Sequence, residues 1–212
     1  STLNSSKQSN NQKTLDIMCQ GFYNVNMTTI THWDFSKESV KVYDDFLTKE
    51  DYIPIYQYFL DNHMGYQGDS VPWYWIDGVV EMDDGLVQFV NMCYAKDTII
   101  NPVMYNILMP IFNNIKPMAL HRIKANLTLS KQLQDVNPQK MLHVDSPYCH
   151  DCGNMNTGIY YVNSNDGYTL FEDGTKIESV ANRFIAFPCN MKHAGIPASN
   201  VSRRIVINFN WF

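Results

Sequence analysis

Two hydrophobic rhythms divide the chain. In the first half, apolar residues recur at helical spacing in two places. Tyr52, Ile55, Tyr56, Phe59 and Leu60 form one stripe, with Thr48 standing before Lys49-Glu50-Asp51 as an N-cap followed by acidic groups in the first turn. Met104, Leu108, Ile111 and Ile115 form the second, which opens at Asn101-Pro102 and is expected to kink at Pro110. From Leu120 onward the pattern turns to β. Strands are expected over 120–128, 139–145, 157–163, 168–172, 176–180, 183–187, 191–195 and 203–211, parted by Asn137-Pro138, Asn165-Asp166-Gly167, Asp173-Gly174 and Pro188. Val40 to Tyr43 reads as a further short strand. Val71-Pro72-Trp73-Tyr74-Trp75, flanked by Gly68 and Gly78, reads as strand packing or as the wall of a substrate groove. This succession predicts an α+β, mainly β domain in which N-terminal helices brace one face of an antiparallel barrel or sandwich.

Composition narrows the picture. The 212 residues fit one domain, expected over 15–212, and residues 1–14 are too polar to order themselves and are expected to be a flexible tail. A net charge of -5 with mixed signs gives no strong nucleic-acid signal. The five cysteines form no even framework and are expected to be reduced thiols. With no signal peptide and no bilayer-length apolar run, a cytoplasmic protein without a membrane partner is expected.

The candidate chemistry lies in His143-Val144-Asp145, then His193, then Arg203-Arg204. Two histidines and one carboxylate are the ligand set of a non-haem Fe(II) site with positions left open for cosubstrate and O2. On a strand, His143 and Asp145 project to one side while Val144 turns away. The last strand reads by the same parity. Arg203, Ile205, Ile207, Phe209 and Trp211 share an apolar face suited to packing under the helices, and Arg204, Val206, Asn208 and Asn210 share a face suited to a charged ligand. A guanidinium on that inner face can grip a carboxylate with two parallel hydrogen bonds, which favours Arg204.

These residues resemble a known family. His143-Val144-Asp145-Ser146-Pro147, Thr157-Gly158-Ile159-Tyr160-Tyr161-Val162-Asn163, His193 and Arg204 through Trp211 are similar to the Fe(II)/2-oxoglutarate-dependent oxygenases, in the prolyl-hydroxylase-like branch. The run from Gly167 to Gly174 and Ala181-Asn182-Arg183 is similar to members encoded by phages. The resemblance covers the C-terminal half and follows the helical part in outline. It implies a double-stranded β-helix, a jelly-roll or cupin-like barrel with the metal at its open end. It further implies Fe(II) held by His143, Asp145 and His193, with 2-oxoglutarate as cosubstrate and ascorbate as a candidate addition. Arg204 would bind the far carboxylate of 2-oxoglutarate, and the Tyr161 hydroxyl would contact the same group. The spacing usual in prolyl hydroxylases points instead to Arg203, ten residues after His193 where Arg204 is eleven, so the choice stays open. The tyrosine that those enzymes often place before the HxD motif, where it touches the cosubstrate, is missing; Asn126 or Lys124 is the candidate to take its place in binding 2-oxoglutarate. The implied reaction is hydroxylation with release of succinate and CO2, the leading substrate a peptide or protein prolyl side chain, in the host cytoplasm if phage-encoded. A small-molecule or nucleobase substrate, or a non-catalytic jelly-roll binding module, are the rival readings. Cys149-His150-Asp151-Cys152 is one CxxC without a second pair, which reads as a loop near the site mouth ahead of zinc or redox chemistry.

Overall fold

A computed structural model of the chain describes residues 40–61, 71–80, 86–131, 136–145 and 155–212. The tail expected at 1–14 and the Cys149–Cys152 motif lie outside the described residues.

Eleven strands carry the described fold: β1 (Lys41–Tyr43), β2 (Tyr74–Asp77), β3 (Val87–Ala95), β4 (Thr98–Ile99), β5 (Leu120–Leu129), β6 (Asn156–Tyr161), β7 (Tyr168–Phe171), β8 (Lys176–Glu178), β9 (Arg183–Pro188), β10 (His193–Ile196) and β11 (Arg203–Trp211). Every pairing is antiparallel. The larger sheet runs β1-β9-β6-β11-β5-β3-β2, with β4 on β3, and the smaller runs β10-β7-β8. This is the mainly β jelly roll expected, with helices bracing the larger sheet.

The brace is built as the helical stripes foretell, in shorter pieces. Helix α1 (Lys49–Tyr56) is capped by Thr48, whose Oγ1 accepts from the Asp51 amide at 3.3 Å. Pro54 offers no amide to the ladder, and the chain continues from Gln57 to Asp61 as a π turn rather than as one regular helix. The second stripe divides at Leu108 into α2 (Pro102–Ile107) and α3 (Met109–Ile115). A kink inside one continuous helix was expected at Pro110. Instead the proline sits in the opening turn of a new helix, where its missing amide has no ladder partner to lose.

Strand parity explains how the brace docks. Ile205, Ile207, Phe209 and Trp211 of β11 and Ile123, Ala125 and Leu127 of β5 meet Ile55, Met104, Leu108, Ile111 and Ile115 in one buried core. Each such aliphatic side chain contributes about 1.5–3 kcal/mol by leaving water. Tyr160 points into the same core, its hydroxyl donating to Asn182 Oδ1 at 3.0 Å. A second, smaller core joins Ile159, Tyr161, Ile185, Phe187 and Val206 to Phe171 of the smaller sheet. Gly158 lies where β6 passes under the ring of Phe184, and a Cβ there would also come within 2.8 Å of Trp211 Cζ3. Both rings are almost fully buried and have nowhere to retreat. Gly158→Ala is therefore expected to destabilise the protein by about 1–3 kcal/mol, read as a lowered denaturation midpoint in urea at unchanged slope.

One expected strand is corrected and one strand is added. No strand spans 139–145: Pro138–Met141 is a 3-10 turn, and only His143 pairs, as an isolated bridge. Pro138 favours the opening of a turn, and the segment hooks onto the smaller sheet at one point instead of lying along it. The longest strand of the first half, β3, was not anticipated at all. It carries Gln88 and Asn91 buried on opposite faces, and its register shifts between Met92 and Tyr94, so the period of two is broken.

Candidate active site

His143 and His193 are locked together through their backbones. His143 N donates to His193 O at 3.0 Å, and His193 N donates to His143 O at 2.9 Å, at the free edge of β10. The two imidazoles thereby face each other with centroids 5.1 Å apart. Each ring is held by a carbonyl: His143 Nδ1–H donates to Met141 O at 2.8 Å and His193 Nδ1–H to Met191 O at 3.1 Å. A carbonyl can only accept, so the proton sits on Nδ1 and the lone pair of each Nε2 is left for a metal. Burial pushes the His193 pKa down, against the opposing pull of Asp145, which favours the neutral ligand form. Asp145 completes the group, and one donor atom from each of the three residues lies within 4.8 Å of the others.

The carboxylate is restrained from the larger sheet. Arg122 Nη2 lies 3.2 Å from Asp145 Oδ1, and Asn210 Nδ2 donates to Oδ2 at 3.2 Å. Arg122 Nε also donates to Asn210 Oδ1, and Asn210 Nδ2 reaches Thr157 Oγ1, so the two restraining side chains orient one another. Burial alone would raise the Asp145 pKa. His193, Arg122, His143 and Lys124 together outweigh it and hold the carboxyl well below the usual range, ionised and ready for a cation.

A cavity opens from this triad between the sheets. It is lined from β5 by Lys124, Asn126 and Thr128 and from β11 by Arg204, Val206 and Asn208. These positions pair across the two strands, Arg204 with Thr128, Val206 with Asn126 and Asn208 with Lys124, which places them on one face. Arg204 is only 2% exposed. Its Nε donates to Ser179 Oγ at 2.7 Å and its Nη2 to Thr169 Oγ1 at 3.3 Å, and its guanidinium lies 5.5 Å from the centre of the Tyr161 ring. No carboxylate pairs with it among the described residues. Burial lowers its pKa, with Tyr161 opposing. Gly167 and Gly195 make room for it: a Cβ on Gly167 would come within 2.7 Å of Arg204 Cδ, and one on Gly195 within 3.3 Å of Arg204 Nη1. The walls also carry buried polar atoms without partners among the described residues, Asn126 Oδ1, Thr128 Oγ1 and Asn208 Oδ1. Such atoms call for a polar guest or ordered water.

Solved structures share this architecture. A prolyl hydroxylase from Trichoplax adhaerens, in complex with a hypoxia inducible factor oxygen degradation domain peptide fragment, superposes with a TM-score of 0.60 at 14% identity, over 100% of this chain and 94% of that one. The 2-oxoglutarate-dependent epimerase SnoN of nogalamycin biosynthesis gives 0.54 at 10% identity, over 84% and 79% of the two chains. The fold is that of the 2-oxoglutarate- and Fe(II)-dependent oxygenases. The carbocyclase SnoK of the same biosynthesis also aligns, at 0.50 and 10% identity over 84% and 80%. No protein-family model matches the chain, and no curated protein sequence does.

Within this oxygenase fold the anticipated residues separate cleanly. His143, Asp145, His193, Arg204 and Asn126 line one cavity. Arg203 points the other way, its Nη2 donating to Leu60 O at 3.0 Å on the helical side. Tyr161 stands behind the wall, its hydroxyl 2.7 Å from Thr169 Oγ1, and burial raises its pKa while Arg204 pulls it down. It does not line the cavity itself and meets it through Thr169 and Arg204. Lys124 faces the cavity; burial and then Arg122 lower its pKa, with Asp145 opposing. Asn208 and Asn210 fall on the face of β11 read as suited to a charged ligand, Asn208 in the cavity wall and Asn210 against Asp145. Arg122 was not anticipated as part of the site. Its signal was available in β5, where Arg122, Lys124, Asn126 and Thr128 alternate with Ile123, Ala125 and Leu127. The aromatic segment splits: Trp73 packs against the helix-side core, while Tyr74, Trp75 and Ile76 of β2 are exposed, Tyr74 by 64%.

Proposed function

We propose that the chain is an Fe(II)- and 2-oxoglutarate-dependent dioxygenase that hydroxylates its substrate, a single catalytic domain over 15–212 acting in the cytoplasm. The observation that carries this reading is the two-ended polarity of one cavity. Among the described residues, a metal-ligand triad with both Nε2 atoms bare stands at one end, and a buried arginine without an acidic partner stands at the other. A dicarboxylate that chelates a metal through one end and meets a guanidinium at the other fits that arrangement.

Bound there, Fe(II) and 2-oxoglutarate would supply O2 activation, coupled to release of succinate and CO2 and delivery of a hydroxyl to the substrate. His143, Asp145 and His193 would hold the metal and leave three positions open. Arg204, oriented by Ser179 and Thr169, would fix the far carboxylate, with the Tyr161 ring flanking it. Val206 and Ile159 would keep water from the cosubstrate. No side chain is needed as a general base for the hydroxylation. A peptidyl prolyl substrate is the leading assignment, because the Trichoplax adhaerens protein of this fold is a prolyl hydroxylase in complex with a peptide. The test is a turnover assay across prolyl peptides, nucleosides and small acids, with mass spectrometry for an added oxygen and succinate measured in parallel. Succinate with Fe(II) present, and none after chelation by EDTA, is the expected result. Absence of succinate across the panel, with Fe(II) and 2-oxoglutarate bound, would leave a binding module.

A further inference from the structure

The charges of the cavity do not balance once it is filled as proposed above, and the inference that follows rests on that filling. A divalent metal and the dianion 2-oxoglutarate match Asp145 and Arg204 charge for charge. Arg122 and Lys124 then remain as two further cations on the same β5 face, Arg122 against Asp145 and Lys124 in the cavity wall. Lys124 is partly buried and its ammonium makes no hydrogen bond or ion pair among the described residues, its carboxylate influence being the Asp145 that Arg122 already engages. Uncompensated buried cations are costly, and a guest that brings negative charge relieves them.

We propose that Lys124 forms an oxyanion subsite for the primary substrate, so that the molecule oxidised carries a carboxylate or phosphate group beside the carbon presented to the metal. A neutral prolyl side chain alone leaves this cation unanswered; a prolyl residue with an adjoining acidic group, or a small organic acid, does not. Lys124 lies one strand-repeat from the Arg122–Asp145 row and two from the Arg204–Thr128 row, which puts it at the metal end of the cavity rather than at the far-carboxylate end.

The test uses the full chain saturated with Mn(II), which binds without turnover, and with 2-oxoglutarate. Acetate, methyl phosphate and the neutral control acetamide are titrated by calorimetry. Acetate or methyl phosphate is expected to bind at least about tenfold more tightly than acetamide, the scale of one nearby opposite charge. The tighter of the two identifies the anion. Lys124→Gln is expected to remove that preference and Lys124→Arg to keep it. The proposal is overturned if the oxyanions bind no better than acetamide, if Lys124→Gln binds them as well as the parent chain, or if Lys124→Gln loses 2-oxoglutarate instead. Failure of the parent chain to take up 2-oxoglutarate at all would remove the dioxygenase reading itself, a separate and earlier result in the same experiment.

Discussion

His143→Ala is expected to abolish Fe(II) uptake and, with it, all 2-oxoglutarate-dependent succinate formation. Loss of an outer partner of a metal ligand costs roughly 10–100-fold in affinity. Loss of a ligand itself from a set of three should exceed that, because it takes away one of the bonds rather than its orientation. The structure also predicts that the variant folds. His143 pairs with His193 through main-chain atoms, and those two bonds do not depend on the imidazole. Asp145→Ala should be equally inactive but for a mixed reason, since it also strips Arg122 and Asn210 of their partner. Unaltered thermal stability with lost metal binding in His143→Ala, measured by calorimetry and anaerobic iron titration, separates the chemical role from the structural one. Retained succinate formation in His143→Ala would place the metal elsewhere.

The second large effect is expected at Arg204. Removing a buried, hydrogen-bonded partner of a charged ligand costs about 2–5 kcal/mol, so Arg204→Ala should raise the 2-oxoglutarate concentration needed for half-maximal turnover by at least about tenfold. Arg203→Ala should change it little, because that side chain lies on the helical face and serves the Leu60 carbonyl. The adjacent pair thus forms an internal control, with identical chemistry on opposite sides of one strand. A larger cosubstrate effect at Arg203 would contradict the assignment.

The choice between these arginines shows what could be read from sequence. Spacing from His193 favoured Arg203, while alternation along 203–211 favoured Arg204, and the alternation proved the better guide to the structure. A side-chain period of two is a property of the strand itself, whereas spacing to a distant histidine depends on the loop between. The triad was legible for a similar reason, since three ligand-type residues in order need no detailed geometry to be recognised. Their setting was not. The segment before Asp145 looked like a strand and is a 3-10 turn with one bridge, yet its carbonyl at Met141 and its pairing to His193 still bring the two histidines together. Arg122 went unassigned, and Asn210 was placed on the inner face without its partner Asp145, because nothing in a strand's own pattern says which loop will pass over that face. Strand β3 escaped because its two buried amides serve opposite sides, Gln88 toward the cavity and Asn91 toward Asn101 of the helical layer. A periodicity argument assumes one wet face and one dry one, and β3 has neither.

One cavity is proposed to bind a metal and a dicarboxylate together, the first through His143, Asp145 and His193 and the second through the metal and Arg204. Anaerobic titration of 2-oxoglutarate with and without Fe(II), on the parent chain and on His143→Ala, tests it most directly. One 2-oxoglutarate bound per chain is expected with Fe(II) present, and binding weakened at least about tenfold when either the metal or His143 is removed. Binding that is equally tight without iron, or no binding with it, would mean that the metal and the dicarboxylate do not share this cavity.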